Sequence, residues 1–418
     1  MSTSFNRNSR PIKLFFFVLF ISAVGFGFSD GILSNFFKDA YNVTTVQRGF
    51  IEIPRELPGL LCMFIISLLS FIHDIKKMVI AYILMGIGML ILGLFTPSFY
   101  IMSILLFVFS IGAHMSFPLQ DSIGIALSEP DKVGVRMGQF TSTRTAGAMI
   151  SGLLVFFGFK YGAFSFITDI KIPLLIAVGA YIITIFIYIW ILKSKEVSDI
   201  RDSQQVKKPT YSLSILFKKK YIIYYMFSLA KGFHNQILFV YAPWILIELM
   251  GRATDTLALL NVFGAFVGML FLPVIGKLID KIGTKKLLIF ESLIFLLIYL
   301  SYAYMSKAIN TGVIAKTAVV ALLVVGGLYI LDRTFALMMI VRSVYIKGLV
   351  SDSNELTQIL STGLSLDHVV SVGFAFLGGI IWSNWGPEFV FYISATSCLI
   401  TFTLAMLIKN PQLTVEEG

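Results

Sequence analysis

Lys231, His234 and Asn235 lie in one apolar stretch, Asp332 and Arg333 sit side by side in another, and Asp367 falls in a third. A charge at the centre of a membrane-spanning helix costs about 2.5–3.5 kcal/mol, so residues of this kind face a cavity or a partner. Lys231 and Arg333 are suited to hold a carboxylate or phosphate, while Asp332 or Asp367 would balance them when no anion is bound. Pairing within the protein alone is the competing explanation. His114, His234 and His368 can each exchange a proton, because the free imidazole titrates at about 6.5; a packed, hydrogen-bonded histidine fits each position equally well. The candidate substrate-binding set is Lys231, His234, Asn235, Asp332, Arg333, His114 and Asp367. The histidines lack HExxH or Cys/His ligand spacing, so no metal is expected.

A second group is mainly acidic. In the stretch around Pro54 and Pro58, residues Glu52, Arg55 and Glu56 share one helical face, where a carboxylate can neutralise the arginine and another is left over. At ~1.5 Å per residue, Asp30 reaches a similar depth, so an Asp30–Arg55 ion pair is feasible. These four residues are the expected ion-coupling group, with a static salt bridge as the alternative. The two prolines predict a kink. Gly25, Gly27 and Gly31 miss the dinucleotide-binding spacing, and the only Gly-Lys pair, Gly276-Lys277, is followed by leucine rather than Ser or Thr. No cofactor and no enzymatic activity are expected, which leaves an ion gradient as the energy source.

The elements that position these residues are long apolar helices. The 418 residues are 57% hydrophobic and only 13% charged, with a mean hydropathy of +0.86, against about 25% charged in soluble domains. Apolar runs predict spans at about 14–36, 48–72, 79–96, 99–127, 138–159 and 172–192, then at 221–249, 255–279, 286–306, 316–341, 358–382 and 388–408. The one long polar stretch, 193–220, divides a first bundle at 1–192 from a second at 221–418. The net charge of +10 raises nucleic acid as a partner, but the basic residues cluster in alternate loops, so membrane topology accounts for them and places both termini in the cytoplasm. Local echoes join the halves: GFSDGIL at Gly27 matches GFHNQIL at Gly232, and Gln139, Ser142 and Thr143 match Gln358, Ser361 and Thr362. Cys62 and Cys398 both fall in apolar runs, and Tyr241 and Trp244 are candidates for an outer gate.

One loop is more specific. Gly276-Lys-Leu-Ile-Asp280-Lys-Ile-Gly283-Thr-Lys285-Lys286 is similar to the G-x-x-x-D-x-x-G-x-K/R-K/R loop of the major facilitator superfamily, and the corresponding loop of the first half keeps Asp74, Lys76 and Lys77 but has Ser70 for the leading glycine. Such residues suit a close helix approach and a carboxylate that accepts from a helix N-terminus or a cation. The resemblance implies an all-α membrane protein of 12 transmembrane helices in two pseudo-symmetric six-helix halves, with gating by Asp74, Arg144, Gly276, Asp280 and Gly283. It implies secondary transport by alternating access. The expected activity is proton-coupled symport of a small polar or anionic metabolite, with sodium as the alternative ion, by a monomer in the plasma (inner) membrane. Proton-coupled drug or metabolite efflux is the alternative activity; the family's Gly-Pro-x-x-Gly-Gly stretch is missing from 144–152, and His114 stands where antiporters carry arginine.

Overall fold

The computed structural model describes residues 10–43, 45–129, 131–194, 218–252, 254–350 and 353–408. The polar connector expected at 193–220 and both chain termini lie largely outside these residues. Among the described residues there are helices and no strands. Among the described residues, nine helical segments are long and apolar enough to cross a membrane, so this is a multi-pass membrane protein.

The chain divides into two compact units: residues 1–130, 143–216 and 351–365 in the first, and 131–142, 217–350 and 366–418 in the second. In unit 1, α1 (Arg10–Gly27), α2 (Leu33–Tyr41), α3 (Thr45–Leu68), α4 (Asp74–Leu94), α5 (Phe99–Ala126) and α7 (Ile172–Leu192) are joined by most of α6 (Val133–Lys160). The helix α4 packs on α5 and α7, while α3 packs on α5 and α1 on α7. The first span is not one continuous α-helix as expected. It breaks after Gly27 into a 3-10 turn at Asp30–Ile32, where the Ser29 hydroxyl hydrogen-bonds the Gly25 carbonyl at 3.0 Å and pairs with the Tyr181 hydroxyl at 2.6 Å. Helix α3 runs on through Pro54 and Pro58.

Unit 2 contains α8 (Ile222–Gln236), α9 (Thr254–Ile282), α10 (Thr284–Asn310), α11 (Val319–Ala336), α12 (Ile340–Lys347), the later part of α13 (Ser353–Asn384) and α14 (Pro387–Leu407). The helix α10 packs on α14 and α11, and α9 packs on α11. The span expected at 221–249 is a regular α-helix only to Gln236. It widens into π-helical runs at Ile237–Tyr241 and Ile245–Leu249 on either side of Ala242–Trp244. Pro243 accounts for this, because it lacks an N–H and its ring displaces the carbonyl four residues earlier, which a wider turn accommodates. Tyr241, fully buried, stacks with Trp244 and Trp382 at centroid distances of 6.1 and 5.9 Å and donates to the Ala375 carbonyl at 2.9 Å. It is part of the unit 2 core.

Candidate functional site

The polar centre of unit 2 begins on α8. Lys231 and His234 are one turn apart and therefore share a face. Lys231 Nζ donates to Asp367 Oδ2 at 2.6 Å, and Asp367 is 1% exposed. Gly232 makes the pairing possible: a Cβ there would come within 2.5 Å of the Asp367 carbonyl oxygen, so only glycine lets α8 and α13 approach this closely. Ser371 on α13 closes the contact by donating to the Gly232 carbonyl at 3.1 Å.

His234 turns away from that pair. Its Nδ1 hydrogen-bonds the Tyr299 hydroxyl and lies 3.8 Å from Asp332 Oδ1, while its ring packs 4.2 Å from Phe295. Asp332 is completely buried, and neither carboxylate oxygen accepts a hydrogen bond from a described residue. Beside it, Arg342 donates to Glu291 Oε1 at 2.9 Å and to the Phe227 carbonyl at 3.2 Å. A cavity of ≈ 20 Å³ between His234, Glu291, Ser292, Tyr299, Arg342 and Thr401 has room for about one water molecule. Asn235 is half-buried on α8. Arg333 contacts different residues: its guanidinium carbon is 5.2 Å from the Tyr329 ring centroid and 5.9 Å from that of Phe239.

In unit 1, Arg55 donates to Asp30 Oδ1 at 2.9 Å, the ion pair that the sequence makes feasible. Ser110 donates its hydroxyl proton to the Arg55 carbonyl, and His114 Nδ1 lies 3.0 Å from both the Ser110 hydroxyl and the Ser110 carbonyl. A carbonyl oxygen can only accept, so the contact with it puts a hydrogen on Nδ1. Glu56 is half-buried on the same helix as Arg55; the Glu52 side chain lies outside the described residues. Arg144 donates to Gln120 Oε1 at 3.0 Å and sits 3.5 Å from Asp121, while Gln120 donates to the Tyr82 hydroxyl at 2.9 Å.

The two loop aspartates have different acceptor roles. Asp280 accepts from the backbone N–H groups of Gly134 and Val135, both at 2.7 Å, at the start of α6, where the helix dipole favours a negative charge. The crossing is built from glycines: a Cβ on Gly276 would lie 2.5 Å from the Gly134 carbonyl oxygen, and one on Gly138 would lie 2.6 Å from that of Leu272. Gly283, at φ 81°, starts α10 in a conformation that disfavours any side chain. Asp74 accepts instead from Lys77 at 2.8 Å, Ser122 at 3.1 Å and Thr357 at 2.5 Å.

The sequence model of the Major Facilitator Superfamily matches residues 15–340, more than three quarters of the chain. The chain belongs to this superfamily. Its solved relatives share the fold at low identity. The proton:xylose symporter XylE, bound to 6-bromo-6-deoxy-D-glucose, superposes with a TM-score of 0.74 at 14% identity, over 97% of this chain and 98% of that one. A bacterial homologue of the iron transporter ferroportin, in an outward-facing state with soaked iron, gives 0.72 at 12% identity, over 95% and 99%. A variant of the E. coli fucose:proton symporter FucP gives 0.66 at 13% identity, over 95% and 98%. A search of curated protein sequences finds no match. Membership makes the chain a secondary transporter rather than an enzyme, with the major-facilitator fold of an all-α membrane protein.

In this MFS transporter the sequence reading missed Glu291, Tyr299 and Arg342. Glu291 was a detectable signal, a carboxylate inside the span expected at 286–306, and Arg342 stands one residue beyond the expected end of the span at 316–341. Tyr299 carried no signal, because one tyrosine among many in apolar helices has nothing local to distinguish it.

Proposed function

We propose that this transporter imports a small polar or anionic metabolite together with protons, by alternating access. The observation that carries the reading is the Lys231–Asp367 pair, 2.6 Å long, in which Lys231 is half-buried and Asp367 nearly inaccessible. An isolated buried charge is too costly to persist, so a carboxylate that loses its cation must be neutralised. When an anionic substrate takes Lys231, Asp367 is released and takes up a proton. Anion binding and proton uptake are thereby linked one to one. His234, Asn235, Asp332 and Arg333 complete the anchoring set in unit 2, while Asp30, Glu52, Arg55 and Glu56 in unit 1 serve the coupling ion. Asp74, Arg144, Gly276, Asp280 and Gly283 are assigned to gating. Two of the structural relatives named above are proton symporters of sugars, which supports proton as the coupling ion. The charge distribution of the loops supports cytoplasmic termini and residence in the plasma (inner) membrane, and a monomer suffices for the mechanism.

The test is a ligand screen followed by flux. Purified protein is heated with carboxylates, phosphate esters, sugars, amino acids and nucleosides, because a ligand stabilises the state it binds by RT ln(1 + [L]/Kd). An anionic hit is expected. Its uptake into proteoliposomes should accelerate with an inward proton gradient and fall when an ionophore collapses that gradient. Uptake indifferent to the proton gradient would overturn proton coupling, and sodium would replace it. Arg333→Ala should abolish the stabilisation; unchanged affinity would remove Arg333 from the site.

A further inference from the structure

We propose that a groove on unit 1, between the first turns of α4 and the last turn of α7, is a binding site for an anionic phospholipid. The groove, ≈ 520 Å³, is lined by Phe71, Ile72, Val79, Ile80, Ile189 and Leu192, with Lys76 and His73 at its rim. Its volume falls in the range of about 300–1,000 Å³ typical of small-molecule sites. Both helices are candidate membrane spans, and the groove lies where one begins, at Asp74, and the other ends, at Leu192. Span ends sit at the boundary between hydrocarbon and headgroups. The apolar wall therefore faces acyl chains and the charged rim faces phosphate.

Charge complementarity selects the headgroup. The Lys76 side chain is exposed and makes no hydrogen bond or ion pair with a described residue. The nearest carboxylate in sequence, Asp74, is turned inward and occupied by Lys77, Ser122 and Thr357, so it does not neutralise Lys76. Lys193 follows the groove residue Leu192 and is exposed. Arg10, at the start of α1, lies 4.3 Å from the ring centroid of Trp190, which neighbours the groove residue Ile189 and is 49% exposed. Lys76 thus lines an apolar slot whose α7 wall is followed directly by a second exposed lysine, and the neighbouring Trp190 is an exposed tryptophan of the kind that settles at headgroup level. A zwitterionic lipid would fill the slot without answering the charge, and a free anion would answer the charge without filling the slot.

The experiment is native mass spectrometry of the full chain in detergent, offered dioleoyl phosphatidylglycerol, dioleoyl phosphatidylcholine or glycerol 3-phosphate. One phosphatidylglycerol should be retained at least about five-fold better than phosphatidylcholine, and Lys76→Gln should reduce that preference about five-fold, since each basic group near an anionic lipid surface is worth about that much. Val79→Trp, which fills the slot, should displace the bound lipid. Equal retention of the two lipids, or a preference untouched by Lys76→Gln, overturns the proposal. So does an adduct that survives Val79→Trp, or glycerol 3-phosphate that binds as well as the lipid. Lys76 is exposed, so its variant folds and the result stands even if the tryptophan variant does not.

Discussion

Lys231 and Asp367 hold each other across two helices, and removing either leaves the other stranded. Truncating one member of a buried pair typically costs 3–5 kcal/mol, whereas replacing both by apolar residues of similar volume is often close to neutral. Lys231→Ala should therefore lower the unfolding midpoint of the purified protein sharply, and Lys231→Met with Asp367→Leu should restore most of it. The double variant should still fail to bind the anionic substrate. If it binds normally, the pair is structural and the anion sits elsewhere. Lys171 makes a different case at the start of α7: it is buried, donates to the Thr96 hydroxyl, and reaches the Asp169 carbonyl at 2.9 Å. Burial lowers its ammonium below the ordinary 10.5, although Asp169 pulls the other way. The native state then gives up this proton before the unfolded chain does. Between the lowered native value and 10.5 the unfolded chain binds more protons, so stability gains a rising component with pH. The difference between wild type and Lys171→Met, followed by thermal unfolding from neutral to alkaline pH, should show that component; parallel curves would exclude it.

At the scale of elements, the contact of α6 with α9 depends on three glycines and one carboxylate. A Cβ on Gly276 would be 2.5 Å from the Gly134 carbonyl, backbone that cannot swing aside as a side chain can. Gly276→Ala should force the helices apart, lengthen the hydrogen bonds from Gly134 and Val135 to Asp280, and cost about 1–3 kcal/mol, read as a lower unfolding midpoint. A wild-type midpoint in this variant would mean the crossing is loose. This contact was partly legible in the sequence, because a glycine and an aspartate at fixed spacing ask for a close approach and for a helix N-terminus or a cation; packing decides which, as Asp280 and Asp74 show. The apolar runs likewise marked where helices run. They did not mark the π-helical turns around Pro243, or the break after Gly27, since hydropathy is blind to how a turn is wound. The sequence places Asp332 and Arg333 at comparable depth in one candidate site. Consecutive residues on a helix point about 100° apart, and so Asp332 is buried near His234 while Arg333 lies against Tyr329. The partner of Lys231, separated from it by 136 positions, is fixed by packing alone.

For the whole molecule, the bilayer turns charge counting into energetics. Moving one elementary charge across a membrane potential is worth about 2.3 kcal/mol per 100 mV, so the net charge carried per cycle decides which gradient drives transport. If a monovalent anion takes Lys231 and one proton neutralises Asp367, the loaded site carries the same charge as the empty one. The cycle is then electroneutral for that substrate. Uptake into proteoliposomes should respond to a pH difference imposed at zero potential and stay flat when a potassium–valinomycin potential is imposed at equal pH. A divalent anion accompanied by the same single proton would instead be slowed by an inside-negative potential. Uptake of a monovalent substrate that rises with inside-negative potential at equal pH would mean that more than one proton enters per turnover, and the additional site would then be sought among the acids of unit 1, beginning with Asp30 and Glu56.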